Sequence, residues 1–127
     1  HFFIEENLSR FGVQTDGELR CLDLMTGKRQ WETLAPMPKA WHATMHLVRA
    51  GETGDRAWIF TEQGNLILAR LNAEGYHELA RARLLAPTLE QGPRGRAVTW
   101  SHPAFAYRHI FARSDRELVC ADLGARP

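Results

Sequence analysis

The heptapeptide "ELRCLDL" at 18–24 returns as "ELVCADL" at 117–123, close to the other end of a 127-residue chain. A near-copy at that separation marks a repeat architecture, in which each unit is one supersecondary element and the stacking of neighbours buries the core. Setting Cys21 against Cys120 leaves room for one more copy. The stretch "LILARLNAEGYHEL" supplies it, with Ala69 in the cysteine position and a repeat length of roughly 50 residues.

The residues around these positions fix what the unit is. "WIFTEQGNLILARL" at 58–71 and "HIFARSDRELVCADL" at 109–123 both place Ile-Phe ahead of the aligned small residue with a polar turn between, which is a β-hairpin pattern. "FFI" at 2–4 plays that part in the first copy, with the turn enlarged to "EENLSRFGVQTDG". Apolar alternation divides the copies into strands at 2–6, 17–24 and 28–34; at 42–49, 56–61, 66–71 and 76–84; and at 97–103, 107–113 and 117–123. No helical period competes. A unit of this length and strand content fits one blade of a β-propeller, so the expected fold is all-β: a partial propeller of three consecutive antiparallel blades. With strands lettered A to D from the axis outward, residues 1–36 supply B-C-D, 37–92 a complete A-B-C-D blade, and 93–127 A-B-C.

These ends carry an expectation of their own. "HFFIEE" opens without methionine inside what reads as a strand, so the native N-terminus is expected upstream. Strand C of the third copy runs directly into "GARP". The outer edge of 117–123 is therefore expected to pair with a strand from elsewhere, and the partners to be the remaining blades of one ring or another protein chain.

Sixteen basic against 15 acidic side chains give no global attraction to nucleic acid or an anionic membrane. Seven arginines between Arg81 and Arg116 face only Glu90 and Asp115, which reads as a solvated face. No apolar run approaches the roughly 20 residues that span a bilayer. Cys21 and Cys120 lack metal-ligand spacing, and two equivalent positions two blades apart are expected to be free thiols.

"CLDLMTGKRQW" at 21–31 resembles the repeat signature of the quinoprotein-type, pyrroloquinoline-quinone-binding-like β-propellers: a small residue, Asp23 two on, Thr26-Gly27 at a tight turn, and Trp31 opening the outer strand. Asp23 suits backbone hydrogen bonds across that turn, Gly27 a positive φ, and Trp31 packing between blades. In the second copy Ala69, Glu74, Gly75 and Leu79 hold the corresponding positions and Leu71 replaces the aspartate; in the third, Cys120 and Asp122 hold them. The phrases "WHATMHLVRAG" and "WSHPAFA" resemble the C-terminal blades of extracytoplasmic members that have no enzyme chemistry. That resemblance implies a non-catalytic scaffold or binding module outside the cytoplasm, with no cofactor. The alternative it implies is the C-terminal part of a quinone-dependent dehydrogenase holding pyrroloquinoline quinone with calcium, its acidic base and metal ligands carried by other blades. This chain has neither adjacent cysteines nor an Asp/Asn cluster with metal spacing.

His42 and His46 on one strand face would stand about 13 Å apart, too far to share an ion. His102 in "TWSHP" reads as satisfying a local backbone hydrogen bond. Trp31, Trp58 and Trp100 read as packing between blades, whereas Trp41, opening an A strand, is a candidate for lining the central funnel. In a propeller the B–C turns and D–A connections emerge on one face, and the two enlarged segments, 6–16 and 86–96, are one of each. Arg10, Phe11, Trp41, Arg94 and Arg96 are therefore the candidate partner or ligand rim.

Overall fold

A chain whose apolar runs are short, alternate, and break at Gly, Asp and Ser has hairpins as its cheapest local structure, and hairpins build every sheet here. The computed structural model describes residues 2–5, 16–90 and 95–124. Among them β1 (Phe2–Glu5), β2 (Leu19–Leu22) and β3 (Arg29–Thr33) form one antiparallel sheet in chain order. The second sheet holds β4 (Met45–Arg49), β5 (Arg56–Thr61), β6 (Asn65–Asn72) and β7 (Gly75–Arg83), again in chain order. β8 (Ala104–Ala106), β9 (His109–Arg113) and β10 (Leu118–Asp122) make the third. The described residues are all-β, with three antiparallel sheets of three, four and three strands.

The middle sheet is apolar on both faces, which explains the near-continuous runs "AWIF" and "LILA". Ala57, Ile59, Ile67, Ala69 and Leu71 turn to the first sheet and cluster with its Leu19. Phe60 and Leu66 turn the other way and cluster with Ile110 and Ala112 of the third sheet. The period of two alone sends neighbours in sequence into opposite cores.

Two stretches of the third sheet depart from the strands expected of them. The first strand of the third sheet was expected over 97–103, but it is β8, Ala104–Ala106. The stretch before it serves other partners: Val98 exchanges backbone hydrogen bonds with Thr88, and the Thr99 amide donates to the Glu62 carbonyl at 2.6 Å. Tyr107 and Arg108, expected within the next strand, are instead the left-handed turn between β8 and β9, with φ of 50° and 61°.

The repeat register also shifts. Asp23 Oδ1 accepts the amides of Met25 and Thr26 at 3.0 and 2.9 Å as well as the Thr26 hydroxyl, and Gly27 has φ 70°. In the middle sheet the same bonding belongs to Asn72, whose Oδ1 accepts the amides of Glu74 and Gly75 at 3.0 and 3.2 Å. Asp122 accepts from the Gly124 amide at 2.8 Å in the third. The counterpart of Asp23 is thus Asn72 rather than Leu71. By the same shift Ala69 is not the counterpart of Cys21: Cys21 shares the face of Leu19, directed at the next sheet, whereas Ala69 faces the preceding one. A register irregularity between Leu68 and Ala69 accompanies the displacement. Gly75 pairs directly with Asn72 and lacks the positive φ of Gly27, because this turn is shorter. Both cysteines are free, Cys21 buried and Cys120 exposed.

Candidate functional site: a loop-bearing rim

Antiparallel register places the loops. Met45 pairs with Thr61 and Asn65 with Arg83, so the start of β4, the β5–β6 turn and the end of β7 share one edge of the middle sheet. Leu118 pairs with Arg113 at the corresponding edge of the third sheet, and Glu5 with Leu19 and Leu19 with Thr33 at that of the first. Cross-links join these edges into one rim. Lys39 meets Asp16 at 2.7 Å, a bond that holds the Lys39 ammonium above its ordinary pKa. The Thr88 hydroxyl donates to Asp115, across to the β9–β10 turn.

Glu62, in the β5–β6 turn, is the centre of the rim. Its side chain is 5% exposed, and a buried carboxylate needs charge and donors around it. One oxygen accepts the Trp100 indole N–H at 2.8 Å and the Thr44 amide at 3.1 Å, and the Arg96 guanidinium lies 3.3 Å from each oxygen. Its backbone is held equally: the Glu62 amide donates to Thr44 and its carbonyl accepts from Thr99. Gly64 closes the turn with φ 79°, its carbonyl taking the amides of Leu84 and Leu85. Glu62 therefore ties β4, the β5–β6 turn and the lead into β8 together.

Beside it, the rings of His46 and His102 lie 3.9 Å apart and tilted by 43°. Burial lowers the His46 pKa, the neighbouring His102 charge lowers it further, and a hydrogen bond with the Trp100 backbone opposes both. His46 is thus held as a neutral imidazole at pH 7. Trp41 and His42 make a second aromatic contact at 4.3 Å, with His42 in a left-handed conformation, φ 52°.

Of the candidate rim residues, Arg10, Phe11 and Arg94 lie outside the described residues. Trp41 is half-buried on the rim. Arg96 is there too, partly exposed, with its guanidinium bonded to Glu62. Within the basic stretch Arg81 also pairs with Glu78 and, at the surface, Arg116 with Glu90. His102 stacks on His46, a role its local sequence does not suggest. Glu62 was missed altogether, since "TEQGN" reads as an ordinary polar turn and its side-chain partners stand 18, 34 and 38 residues away. Among the described residues no group of three or more His, Cys, Asp or Glu could hold a metal ion, and no helix is long and apolar enough to cross a membrane.

The repeat-signature residues sit away from the rim. Trp31 is half-buried, less than the sequence suggests, and its indole N–H donates to the Asn72 carbonyl at 2.7 Å while its ring packs on the core between first and middle sheets. Trp58 packs against the core on the opposite side. In comparison with known proteins, no family model, no curated protein and no solved structure matches the chain.

Proposed function

We propose that the three sheets are consecutive blades of a β-propeller acting as a non-catalytic scaffold, which binds a partner through the loop-bearing rim. The observation that carries this reading is the Glu62 hub: a buried carboxylate and five polar bonds are spent on fixing loops from two sheets relative to one another, which preorganises a surface rather than a reaction centre. The stacking of sheets in chain order through cores on both faces of the middle one supports the propeller geometry. The repeat resemblance supports an extracytoplasmic setting.

The two lysines of the chain make a direct test, because Lys39 stands on the rim and Lys28 in the β2–β3 turn at the opposite edge. Amine-directed cross-linking of the native protein in its own cells is expected to join partners through Lys39. Cross-links to partners through Lys28 alone would sink the rim. Titration of the protein with pyrroloquinoline quinone and calcium is expected to leave the quinone spectrum unchanged; saturable binding would favour the dehydrogenase reading instead.

A further inference from the structure

The contact between the middle and third sheets has two openings. Along its outer side a cleft of about 410 Å³ lies between Ala80 and Ala82 of β7 and Ala121 of β10. At the edge opposite the rim, lined by the β4–β5 and β8–β9 turns, a second cavity of about 350 Å³ has a different chemistry. It brings together four aromatic rings, Trp58, Phe105, Tyr107 and His109, and two guanidinium groups, Arg49 and Arg108. A cavity of that size, with aromatic walls and a few polar groups, has the form of a small-molecule site.

The two arginines are not spent inside the protein. Arg29, Arg70 and Arg81 each meet a carboxylate, whereas Arg49 and Arg108 pair with none among the described residues. Both are exposed, and Tyr107 beside them is 93% exposed. Tyr107 and Arg108 make the two-residue turn between β8 and β9, with left-handed φ of 50° and 61°. Such a turn favours Asn-Gly, because a side chain in that conformation crowds the following carbonyl. Two bonds hold it nonetheless: His109 Nδ1–H donates to the Tyr107 carbonyl at 2.7 Å, and the Leu123 amide to the Arg108 carbonyl at 2.7 Å. The two side chains cost stability in this turn and return no hydrogen bond or ion pair of their own among the described residues. What they do is border the cavity.

We propose that this cavity is a binding site for a small planar aromatic anion, an aryl carboxylate of one or two rings. The ring lies among Trp58, Phe105 and Tyr107, and its carboxylate takes the guanidinium groups of Arg49 and Arg108. Both features are needed. Aromatic walls alone would accept any apolar molecule, and exposed arginines alone hold an anion weakly. The site stands at the edge opposite the rim and is independent of what the rim binds.

The test titrates the intact protein with 2-naphthoate by calorimetry, and saturable binding is expected. Naphthalene-2-carboxamide, which keeps the shape without the charge, and cyclohexanecarboxylate, which keeps the charge without the aromatic ring, should each bind about tenfold more weakly or worse. Tyr107→Asn combined with Arg108→Gly gives the turn the residues it favours, so it should raise the urea midpoint while weakening 2-naphthoate binding about tenfold. A protein merely loosened by substitution would lose both. Arg49→Gln, at an exposed position outside that turn, should weaken binding about tenfold by itself, whereas Arg56→Gln, outside the cavity, should leave it unchanged. Absence of saturable binding, equal binding of the carboxamide, or binding that survives both Arg49→Gln and the turn variant would overturn the site.

Discussion

The two faces of the middle sheet are built from one pattern and finished differently. Toward the first sheet the contact is complete from rim to outer edge: Leu19, Ile59, Ile67 and Ala69 fill its inner part, and Trp31 and Tyr76 its outer part. Polar bonds then lock it, with Glu78 holding Arg81 at 2.9 Å and Arg81 donating to the carbonyls of Pro36 and Ala35. Toward the third sheet the inner part is just as well packed, by Phe60, Leu66 and Ile110, and is tied at the rim by Glu62. Its outer part is the open cleft. Inner halves of these contacts are thus set by the repeated hairpin alone, whereas outer halves depend on whether a fourth strand is present.

The largest effect should come from the turn glycines, one at each contact. A Cβ on Gly64 would collide with the Leu85 carbonyl oxygen, a backbone atom that cannot swing aside, at a φ that already disfavours a side chain. Gly64→Ala is expected to cost about 3 kcal/mol or more in urea unfolding. Gly17, toward the first sheet, also has a positive φ, but its Cβ would meet the Met37 methyl and the Ala43 Cβ at 2.7 and 2.6 Å. The methionine methyl can yield, whereas the Ala43 Cβ can move only with its backbone, so Gly17→Ala should cost somewhat less than Gly64→Ala, about 2 kcal/mol. Equal losses would mean that the β7 exit does not pin the third sheet.

Next comes Trp31. Half-buried and bonded to Asn72, it should lose about 2–4 kcal/mol on truncation to alanine, while Trp31→Phe keeps most of the ring and gives up about 1 kcal/mol with the hydrogen bond. A loss under about 1 kcal/mol for Trp31→Ala would show that the outer half of this contact adds little to stability, and that an open cleft is no handicap.

What could be read from the sequence follows the same division. The hairpins, the three-four-three strand order and the Asp23–Gly27 turn were legible because each rests on residues close together in the chain. The register of the middle copy was not: Ala69 and Cys21 are both small, and size alone cannot tell which face of a strand a residue occupies, whereas the Asn72 bonding can. "NAEG" is an Asx-turn sequence and carried that signal. The segment 97–103 has strand-like alternation, yet Thr88 and Glu62 claim its backbone. Glu62 and the His46–His102 pair left no local trace, since all their partners come from other elements.

The smallest effect separates the two contacts by pH. His46 belongs to the contact with the third sheet, and its pKa is lowered in the folded state by burial and by His102. The unfolded chain therefore binds the proton more readily, so the stability this site contributes is whole above the ordinary value of about 6.5 and is lost as pH falls below it. Glu78 belongs to the contact with the first sheet, and its hydrogen bond from Arg81 lowers its pKa to about 2. Its contribution is whole above the ordinary carboxylate value and disappears only as pH falls toward about 2; being open to solvent, it is worth at most about 1 kcal/mol. Mild acid should accordingly loosen the third sheet first. Amide protection, each exchange rate taken relative to the intrinsic rate at that pH, is expected to fall in β8–β10 between pH 7 and 5.5 and in β2–β3 only between 5.5 and 3. His46→Gln, which cannot take up a proton, should remove the first step and leave the last in place; a first step that survives this substitution would show that the histidine pair does not couple these sheets to pH.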